Sequence, residues 1–157
     1  TVRFTSTNPY RIRVSGRTKH HINVFGEELI IENAETALKR TAEGADLEIV
    51  DYTAGPVFMQ GREKGAHEWI IEFKQPPRDM EAFSKALDLA LQEVNSDYEA
   101  KRYNNTTLNP PVIHCAREKL FYDWLKEKDK LGGQHKIPRL SNSREYVDEL
   151  LKMNQSN

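Results

Sequence analysis

One stretch, HEWIIEFK (His67–Lys74), constrains the fold more than any other part of the sequence. Its large apolar residues alternate with charged ones, which is the period of a β-strand that places one face against a core. Gln75–Pro77 follow at once, and proline ends a strand because it donates no backbone hydrogen bond. From Asp79 to Val94, apolar residues recur every three or four positions, which predicts an amphipathic helix. The sequence therefore predicts a sheet with a helix packed on it.

The remaining periodicities predict short strands with helices between them. Strands are expected over Val2–Phe4, Tyr10–Ser15, Ile22–Gly26, Leu47–Tyr52 and Val112–Cys115. Helices are expected from Glu27 to about Thr41 and around Leu120–Leu125, and a turn or short helix over Tyr98–Tyr103. Tyr10–Gly26 is predicted to form a hairpin with a polar, basic tip. Because strands and helices do not alternate in a long series, the expected fold class is α+β: a small mixed β-sheet with flanking helices, preceded by a short β-hairpin.

The C-terminal part contains helix start and stop signals. Gly132–Gly133 are expected to end the helix around Leu120–Leu125, because glycine is common just beyond a helix C-terminus. Asn142 is expected to cap a last helix, with Glu145 as its capping-box partner. The buried face of that helix is predicted to consist of Tyr146, Val147, Leu150 and Leu151.

Composition restricts the class of protein. The 157 residues include 23 Lys and Arg against 24 Asp and Glu, a formal net charge of −1. Binding to a polyanion usually requires a basic excess, so nucleic acid is disfavoured as the main partner. No apolar run approaches the roughly 20 residues of a membrane-spanning helix. The lone Cys115 is typical of a reducing, cytoplasmic setting. The first residue is Thr1 rather than Met, so we expect a fragment of a longer protein.

The histidines and the cysteine form no recognisable metal or nucleophile motif. His20 and His21 are adjacent, so on a strand they would point to opposite faces and could not bind one ion together. The sequence contains no HExxH motif and no cysteine pair. His114 and Cys115 are neighbours on a predicted strand, where side chains diverge, and cysteine is often a small buried hydrophobe. We expect neither a metal site nor a thiol nucleophile.

A second stretch, LGGQHKIPRL (Leu131–Leu140), combines two glycines with His135, Lys136 and Arg139. A phosphate-binding P-loop needs four residues between its glycines, a Ser or Thr after its lysine, and a preceding strand. Here the glycines are adjacent, Ile137 follows the lysine and a helix precedes, so that mechanism fails. A lysine on a glycine-hinged loop can still reach a phosphate or carboxylate as a mobile point charge. A solvated loop explains the same residues, and composition favours it.

A third stretch, GRTKHHINVFG (Gly16–Gly26), carries Arg17, Lys19, His20 and His21 just past a predicted strand. One interpretation is a polar hairpin tip. The other is a finger rich in hydrogen-bond donors that enters a partner's site. Residue chemistry alone does not distinguish the two.

These stretches together resemble the C-terminal domain of adenylate-forming enzymes. GRTKHHINVFGEEL (16–29) is similar to that superfamily's hairpin motif: a Gly-Arg pair after a strand, an Ile-Asn-Val-like strand, a glycine and an acidic helix. Within the superfamily, the chain resembles the acyl-acid amido synthetases of the Gretchen Hagen family. The residues that carry this likeness are GAHEWIIEF (Gly65–Phe73), EVNSDYEAKR (Glu93–Arg102) and GQHKIPR (Gly133–Arg139). The resemblance covers essentially the whole chain, in order.

The resemblance implies a two-step reaction with ATP and Mg²⁺. A carboxylic acid is first activated to an acyl-adenylate with release of pyrophosphate, and the amine of an amino acid then forms an amide and releases AMP. Lys136 matches the family's catalytic C-terminal lysine and would also contact the nucleotide, as would Arg17, which matches the arginine of the Gly-Arg pair. The hairpin of the second half-reaction corresponds to Arg17–Phe25, with Lys19, His20, His21 and Asn23 as its site residues.

The resemblance also implies a division of the chain and a set of partners. Residues 1–9 would be a hinge segment that pivots at Thr7, Asn8 and Pro9, and residues 10–157 the mobile C-terminal domain. The partners would be the N-terminal domain of the same polypeptide, which would bind most of the ATP and Mg²⁺, and the acid and amino acid substrates. Alone, this chain is expected to be inactive. Lys19–His20 stand where relatives usually carry Asp-Asp or Lys-Asp.

Two other functions fit the same sequence. One keeps the adenylation but transfers the acyl group to a thiol such as coenzyme A. The other is a non-catalytic α+β module with a binding or regulatory role.

Overall fold

The computed structural model describes residues 2–7, 10–14, 20–128 and 136–155. Its strands are β1 (Val2–Thr7), β2 (Tyr10–Val14), β3 (His21–Ile22), β4 (Leu29–Ile30), β5 (Ile49–Val57), β6 (Ala66–Phe73) and β7 (Val112–Ala116). Its α-helices are α1 (Ile31–Gly44), α2 (Met80–Val94), α3 (Ser96–Arg102), α4 (Leu120–Glu127) and α5 (Glu145–Gln155), with a 3-10 turn at Tyr103–Asn105. The α+β class is confirmed.

A mixed sheet of order β5–β6–β7 carries the helices. β5 and β6 are antiparallel, with Val57 opposite Ala66, whereas β6 and β7 are parallel, with Glu68 opposite Val112. The chain after Lys136 adds to the free edge of β5 through a parallel bridge between Ala54 and Leu140. The predicted small mixed sheet with flanking helices is therefore confirmed.

Helices cover both faces of this sheet, so every residue of β6 is buried. One face packs with α1 and α2 in a core that includes Tyr52, Trp69, Ile71, Leu38, Phe83, Leu87 and Leu91. The opposite face contributes Ile70 to a second core with α4 and α5, which includes Leu120, Phe121, Trp124, Val147 and Leu150. Full burial of a Leu, Ile or Phe side chain contributes about 1.5–3 kcal/mol. Several such side chains therefore hold each helical layer to the sheet.

The hairpin predicted over Tyr10–Gly26 is wrong, although a short hairpin does precede the sheet. β2 pairs with β1 instead, with Val2 opposite Val14 and Thr7 opposite Tyr10. β3 pairs with β4, with Ile22 opposite Leu29. The physical reason is the length of the connections, because only two residues separate Thr7 from Tyr10 and a short link favours antiparallel neighbours.

Two other element boundaries differ from the prediction. α1 begins at Ile31 rather than Glu27, because Glu28 has a positive φ of 39° and the next two residues form β4. β5 continues to Val57, past the expected end at Tyr52, because its second half pairs with the first half of β6. The pattern of apolar residues within one strand does not indicate which strand it pairs with, or over what length.

The C-terminal helices confirm their predicted core faces but not the predicted cap. Val147 and Leu150 are buried, and Tyr146 and Leu151 pack against the same cluster. α5 begins at Glu145, so Asn142 does not cap it, and the Asn142 side chain accepts a hydrogen bond from another segment. α4 ends at Glu127, and the expected stop at Gly132–Gly133 lies outside the described residues.

A polar cluster holds the start of α5 against the sheet. Glu68 of β6 is buried, and its two carboxylate oxygens contact His114 Nε2 and Arg144 Nη2, each at 2.7 Å. Arg144 also donates to the Pro56 carbonyl at 2.9 Å and pairs with Asp148 at 2.7 Å. The hydrogen bond with His114 is the main cause that lowers the pKa of Glu68, and Arg144 lowers it further against the opposing effect of burial.

Gly65 provides a test of the packing between β6 and the turn after β3. A Cβ at this position would overlap Cε1 and Cζ of the Phe25 ring. We expect Gly65→Ala to lower the free energy of unfolding of the chain by about 1–3 kcal/mol, because overpacking forces the ring to move. Urea denaturation measures the change. Gly44→Ala is the matched control: nothing lies within 4 Å of its added methyl, and alanine is favoured at this helical position. Equal stability of the two variants would contradict the packing described.

Glu68 gives a pH-dependent prediction. Its pKa is lower in the folded chain, so its contribution to stability is present above the unfolded pKa and disappears as pH falls through the folded pKa. We expect Glu68→Gln to cost about 1–3 kcal/mol at pH 7. Compared with pH 7, the cost should be smaller at a pH below the lowered folded pKa of Glu68, where the carboxyl of the parent chain is protonated. Denaturation at both pH values measures this, with Glu81→Gln in an exposed pair as control. A cost that is the same at both pH values would rule out the charged pairing.

Candidate functional site

A hydrogen bond joins the hairpin motif to the chain just beyond the stretch that carries Lys136. The Asn23 backbone N–H donates to Oδ1 of Asn142 at 2.8 Å. Asn23 follows β3, and Asn142 lies just beyond the segment that carries Lys136. The Asn23 side chain accepts from the Glu28 N–H at 3.1 Å and so closes the turn between β3 and β4. The hairpin motif and the lysine segment thus belong to one region of the described structure.

Lys136 is exposed, and the residues directly after it are anchored. The Thr53 hydroxyl donates to the Pro138 carbonyl at 2.7 Å. Ala54 donates its N–H to the Arg139 carbonyl at 2.9 Å and accepts from the Ser141 N–H at 3.0 Å. Ile137 and Leu140 are buried in the two cores. Within the described ranges, the Lys136 ammonium has no ion-pair partner. The structure therefore presents a solvent-facing lysine at the start of a strand-like segment that is fixed to β5.

Residues 136–141 contain two basic side chains, Lys136 and Arg139. Of these two, Arg139 is the one whose charge is compensated by an ion pair. Its Nη1 lies 2.6 Å from Asp51 Oδ1, and its guanidinium stacks 4.6 Å from the centre of the Tyr52 ring. Sequence reasoning missed this pairing because Asp51 and Tyr52 are distant in the chain, and the carboxylate has no motif around it. Lys136 and Arg139 are therefore not equivalent: one faces solvent, and the other is bound.

A buried acid–base pair, Glu27 and His67, connects the hairpin motif to β6. Glu27 Oε1 and His67 Nε2 lie 2.8 Å apart, and both side chains are fully buried. Glu27 also accepts from the Phe25 N–H at 2.7 Å, and the Phe25 ring stacks on His67. Burial tends to raise the pKa of Glu27, but the hydrogen bond and electrostatic attraction of His67 more than offset it, so the pKa is lowered. This pair fixes the turn after β3 to the central strand.

The other predicted site residues divide between described and undescribed parts of the chain. His21 lies in β3 opposite Ile30, and His20 directly precedes that strand. Thr7 ends β1 opposite Tyr10. Arg17, Lys19, Asn8 and Pro9 lie outside the described residues. Their roles in the nucleotide site, the second half-reaction and the hinge, like those of His20, His21, Asn23 and Thr7, stay predictions.

His114 and Cys115 are neighbours in β7, and their side chains have different surroundings. The His114 ring is occupied by Glu68, as described above. The Cys115 thiol lies 3.7 Å from the Ala116 carbonyl, and burial raises its pKa, which disfavours the thiolate needed of a nucleophile. Among the described residues, no group of three or more His, Cys, Asp or Glu side chains is placed to hold a metal ion.

The stretch NSDYEAKR, which contributed strongly to the family resemblance, forms a structural network. Asn95 caps α3 by accepting from the Tyr98 N–H at 2.7 Å. The Tyr98 hydroxyl donates to Asp88 at 2.8 Å, and Arg102 binds the two oxygens of Asp88 at 2.7 and 2.6 Å. Arg102 also donates to the Leu108 carbonyl. These residues tie α2, α3 and the following loop together, so their part of the motif preserves the fold.

Two cavities lie near these elements. One of about 880 Å³ is bounded by the C-terminal end of α1, the segment Gln75–Asp79 and the length of α2, and none of the predicted site residues lines it. The other, of about 460 Å³, is lined by Asp51 and Glu72 together with apolar side chains such as Val50 and Tyr122. Of the two, this smaller cavity adjoins the ion pair of Arg139.

Comparison with known proteins gives the family. Residues 32–145 match the model of the GH3 family C-terminal domain. Among solved structures, the chain is similar to "GH3.15 acyl acid amido synthetase", with a TM-score of 0.75 and 18% identity over 98% of this chain and 30% of that one. A second similar structure is "AtGH3.15 acyl acid amido synthetase in complex with 2,4-DB", with a TM-score of 0.73 and 17% identity over 98% of this chain and 29% of that one. No curated protein sequence matches the chain significantly.

The family match and the structural likeness agree in extent. The chain spans about 30% of the length of the solved protein that it resembles, and that likeness establishes the fold along nearly all of this chain. The family match covers well over half of the chain, from the start of α1 to the start of α5. The chain therefore belongs to the GH3 family, of which it represents the C-terminal domain.

Proposed function

We propose that this chain is the mobile C-terminal domain of an ATP-dependent acyl-acid amido synthetase, which adenylates a carboxylic acid and conjugates it to an amino acid. The observation that carries the proposal is the exposed Lys136 on a segment anchored to β5, within a GH3 family C-terminal domain. The named activity of the structurally similar proteins supports the choice of an amide product. The N-terminal domain of the same polypeptide would complete the active site.

In the first half-reaction, a carboxylate oxygen of the acid attacks the α-phosphorus of ATP. The bond from this phosphorus to the bridging oxygen breaks, and pyrophosphate leaves. Negative charge builds up on the oxygens of the five-coordinate phosphorus, and an ammonium group placed against them stabilises the transition state in a site that excludes water. We assign this role to Lys136, because its charge is uncompensated among the described residues and its segment is fixed on one side.

In the second half-reaction, the amine of an amino acid attacks the acyl carbon, the bond to the adenylate oxygen breaks, and AMP leaves. The amine loses its proton in the process. We propose that the domain turns about Thr7–Pro9 to present the hairpin motif, with Arg17 at the nucleotide and Lys19, His20, His21 and Asn23 at the second site. The hydrogen bond between Asn23 and Asn142 supports this proposal, since it ties the hairpin motif to the chain just beyond the segment of Lys136.

Magnesium and most of the nucleotide site are assigned to the N-terminal domain. The described residues offer no cluster of three acidic, histidine or cysteine side chains for a metal ion. The isolated chain is expected to have no synthetase activity.

The proposed location is the cytoplasm, on the evidence of the lone Cys115 in the sequence. None of the helices in the described part of the chain combines the length and hydropathy needed to cross a membrane.

Lys136→Ala in the full-length enzyme tests the catalytic assignment. We expect acid-dependent exchange between ATP and pyrophosphate to fall on the order of 100-fold or more, because a preorganised charge is lost from the transition state. Amide formation from supplied acyl-adenylate should be spared. Lys39→Ala, which removes an exposed lysine from α1, serves as control and should leave both rates unchanged. Exchange that survives Lys136→Ala at the parent rate would show that the assignment is wrong.

The product of the full-length enzyme distinguishes the amide-forming function from the alternatives. With acid and ATP, we expect a stable amide and AMP when amino acids are supplied, and no thioester when coenzyme A replaces them. Mass spectrometry of the products makes the measurement. A thioester without any amide would replace our proposal with an acyl-CoA ligase. No acid-dependent pyrophosphate release under any condition would favour a non-catalytic module.

A further inference from the structure

We propose that Asp51 is a positioning residue for Lys136 and acts through Arg139. This inference rests on the proposed role of Lys136 and adds a residue that has no place in the sequence motifs. The Asp51 carboxylate binds the Arg139 guanidinium at 2.6 Å. Arg139 in turn lies in the segment whose first described residue is Lys136.

A β-bulge gives Asp51 its orientation. Ile49 lies opposite Phe73, but Asp51 lies opposite Glu72, so Val50 is an extra residue in β5. Successive side chains of a strand point to opposite faces, and one inserted residue reverses the assignment of every residue after it. The bulge thereby turns Tyr52 into the core beside Trp69 and turns Asp51 to the face that carries Glu72. From there, Asp51 meets Arg139 at the edge of the sheet.

The ion pair is not needed to hold the segment in the fold. Backbone and hydroxyl contacts from Thr53 and Ala54 already fix residues 138–141 to β5. The Asp51 and Arg139 side chains are 35% and 28% exposed, and a pair that is so accessible to solvent contributes little to the free energy of folding. Its cation–π contact with Tyr52 fixes the guanidinium over one ring face. The pair therefore fixes the Arg139 side chain rather than attaching the segment to the sheet.

The ion pair also determines which of the two positive charges, Lys136 or Arg139, is free to bind a phosphate. Without Asp51, the guanidinium of Arg139 would be a second uncompensated cation close to Lys136 in the chain, and a planar guanidinium binds phosphate readily. With Asp51 in place, the Arg139 charge is engaged, and Lys136 is left as the accessible cation among residues 136–141. Asp51 thus fixes both the geometry and the identity of the group that reaches the α-phosphate.

The test uses Asp51→Asn, Arg139→Gln and the double variant in the full-length enzyme. Each should lower acid-dependent exchange between ATP and pyrophosphate on the order of tenfold, since small misplacement of a catalytic group is costly. The double variant should lose about as much as either single variant, because both changes break the same contact. Amide formation from supplied acyl-adenylate should stay at the parent rate, which a merely structural defect would not allow. Glu48→Gln, in an exposed pair with Lys74 just before β5, is the matched control and should change neither rate.

The outcomes separate this inference from the proposed function. If Lys136→Ala lowers exchange but Asp51→Asn does not, the positioning role is overturned and the role of Lys136 stands. Equal losses in both half-reactions, or independent losses that multiply in the double variant, also overturn the positioning role. If Lys136→Ala leaves exchange unchanged, the proposed catalytic role of Lys136 is wrong, and the positioning role of Asp51 that rests on it is wrong as well.

Discussion

The burial of β6 on both faces is the constraint on which the rest of the structure depends. α1 and α2 cover one face, and α4 and α5 cover the other, so β6 occupies the middle of the sheet between β5 and β7. β5 keeps one free edge, and the chain between α4 and α5 returns to it. The pairing of Ala54 with Arg139 and Ser141 fills this edge and fixes the residues after Lys136. Because the helices cover the faces of the sheet and leave the edge of β5 open, the segment after Lys136 pairs there, and this pairing determines the position of the lysine.

The residues that resemble the family motifs divide into two physical groups. Tyr98 and Arg102 form a largely buried network with Asp88, which lies outside the motifs, and Glu27 and His67 form a fully buried pair. The Asp88 carboxylate, the Tyr98 hydroxyl and His67 Nε2 are engaged in contacts within the fold, so these groups preserve its shape. Lys136 differs because it is exposed and has no ion-pair partner in the described ranges. A charged side chain that is exposed and makes no ion pair within the described fold is available to bind a ligand or another domain.

The sequence predicted the fold class, the mixed sheet and the apolar faces of α2, α4 and α5, because each depends on local periodicity. It did not predict which strands pair, since β2 joins β1 and the second half of β5 joins β6. The alternation in β6 marked Glu68 and Glu72 as the polar face, yet both are buried, because His114 and Arg144 bind one and the Lys119 N–H binds the other. Lys136 was found only through the family resemblance. The sequence contains no signal for the role of Asp51, because its partner Arg139 lies far along the chain and the direction of the Asp51 side chain depends on a β-bulge.

The most direct test of the central claim is a structure of the full-length enzyme with an unreactive ATP analogue and its acid substrate. The distance from Lys136 Nζ to the nearest oxygen of the α-phosphate is the quantity to measure. The account predicts hydrogen-bond contact, at about 2.7–3.2 Å, with Arg139 still bound to Asp51. An α-phosphate held in that complex by another side chain, with Lys136 directed into solvent, would contradict the account.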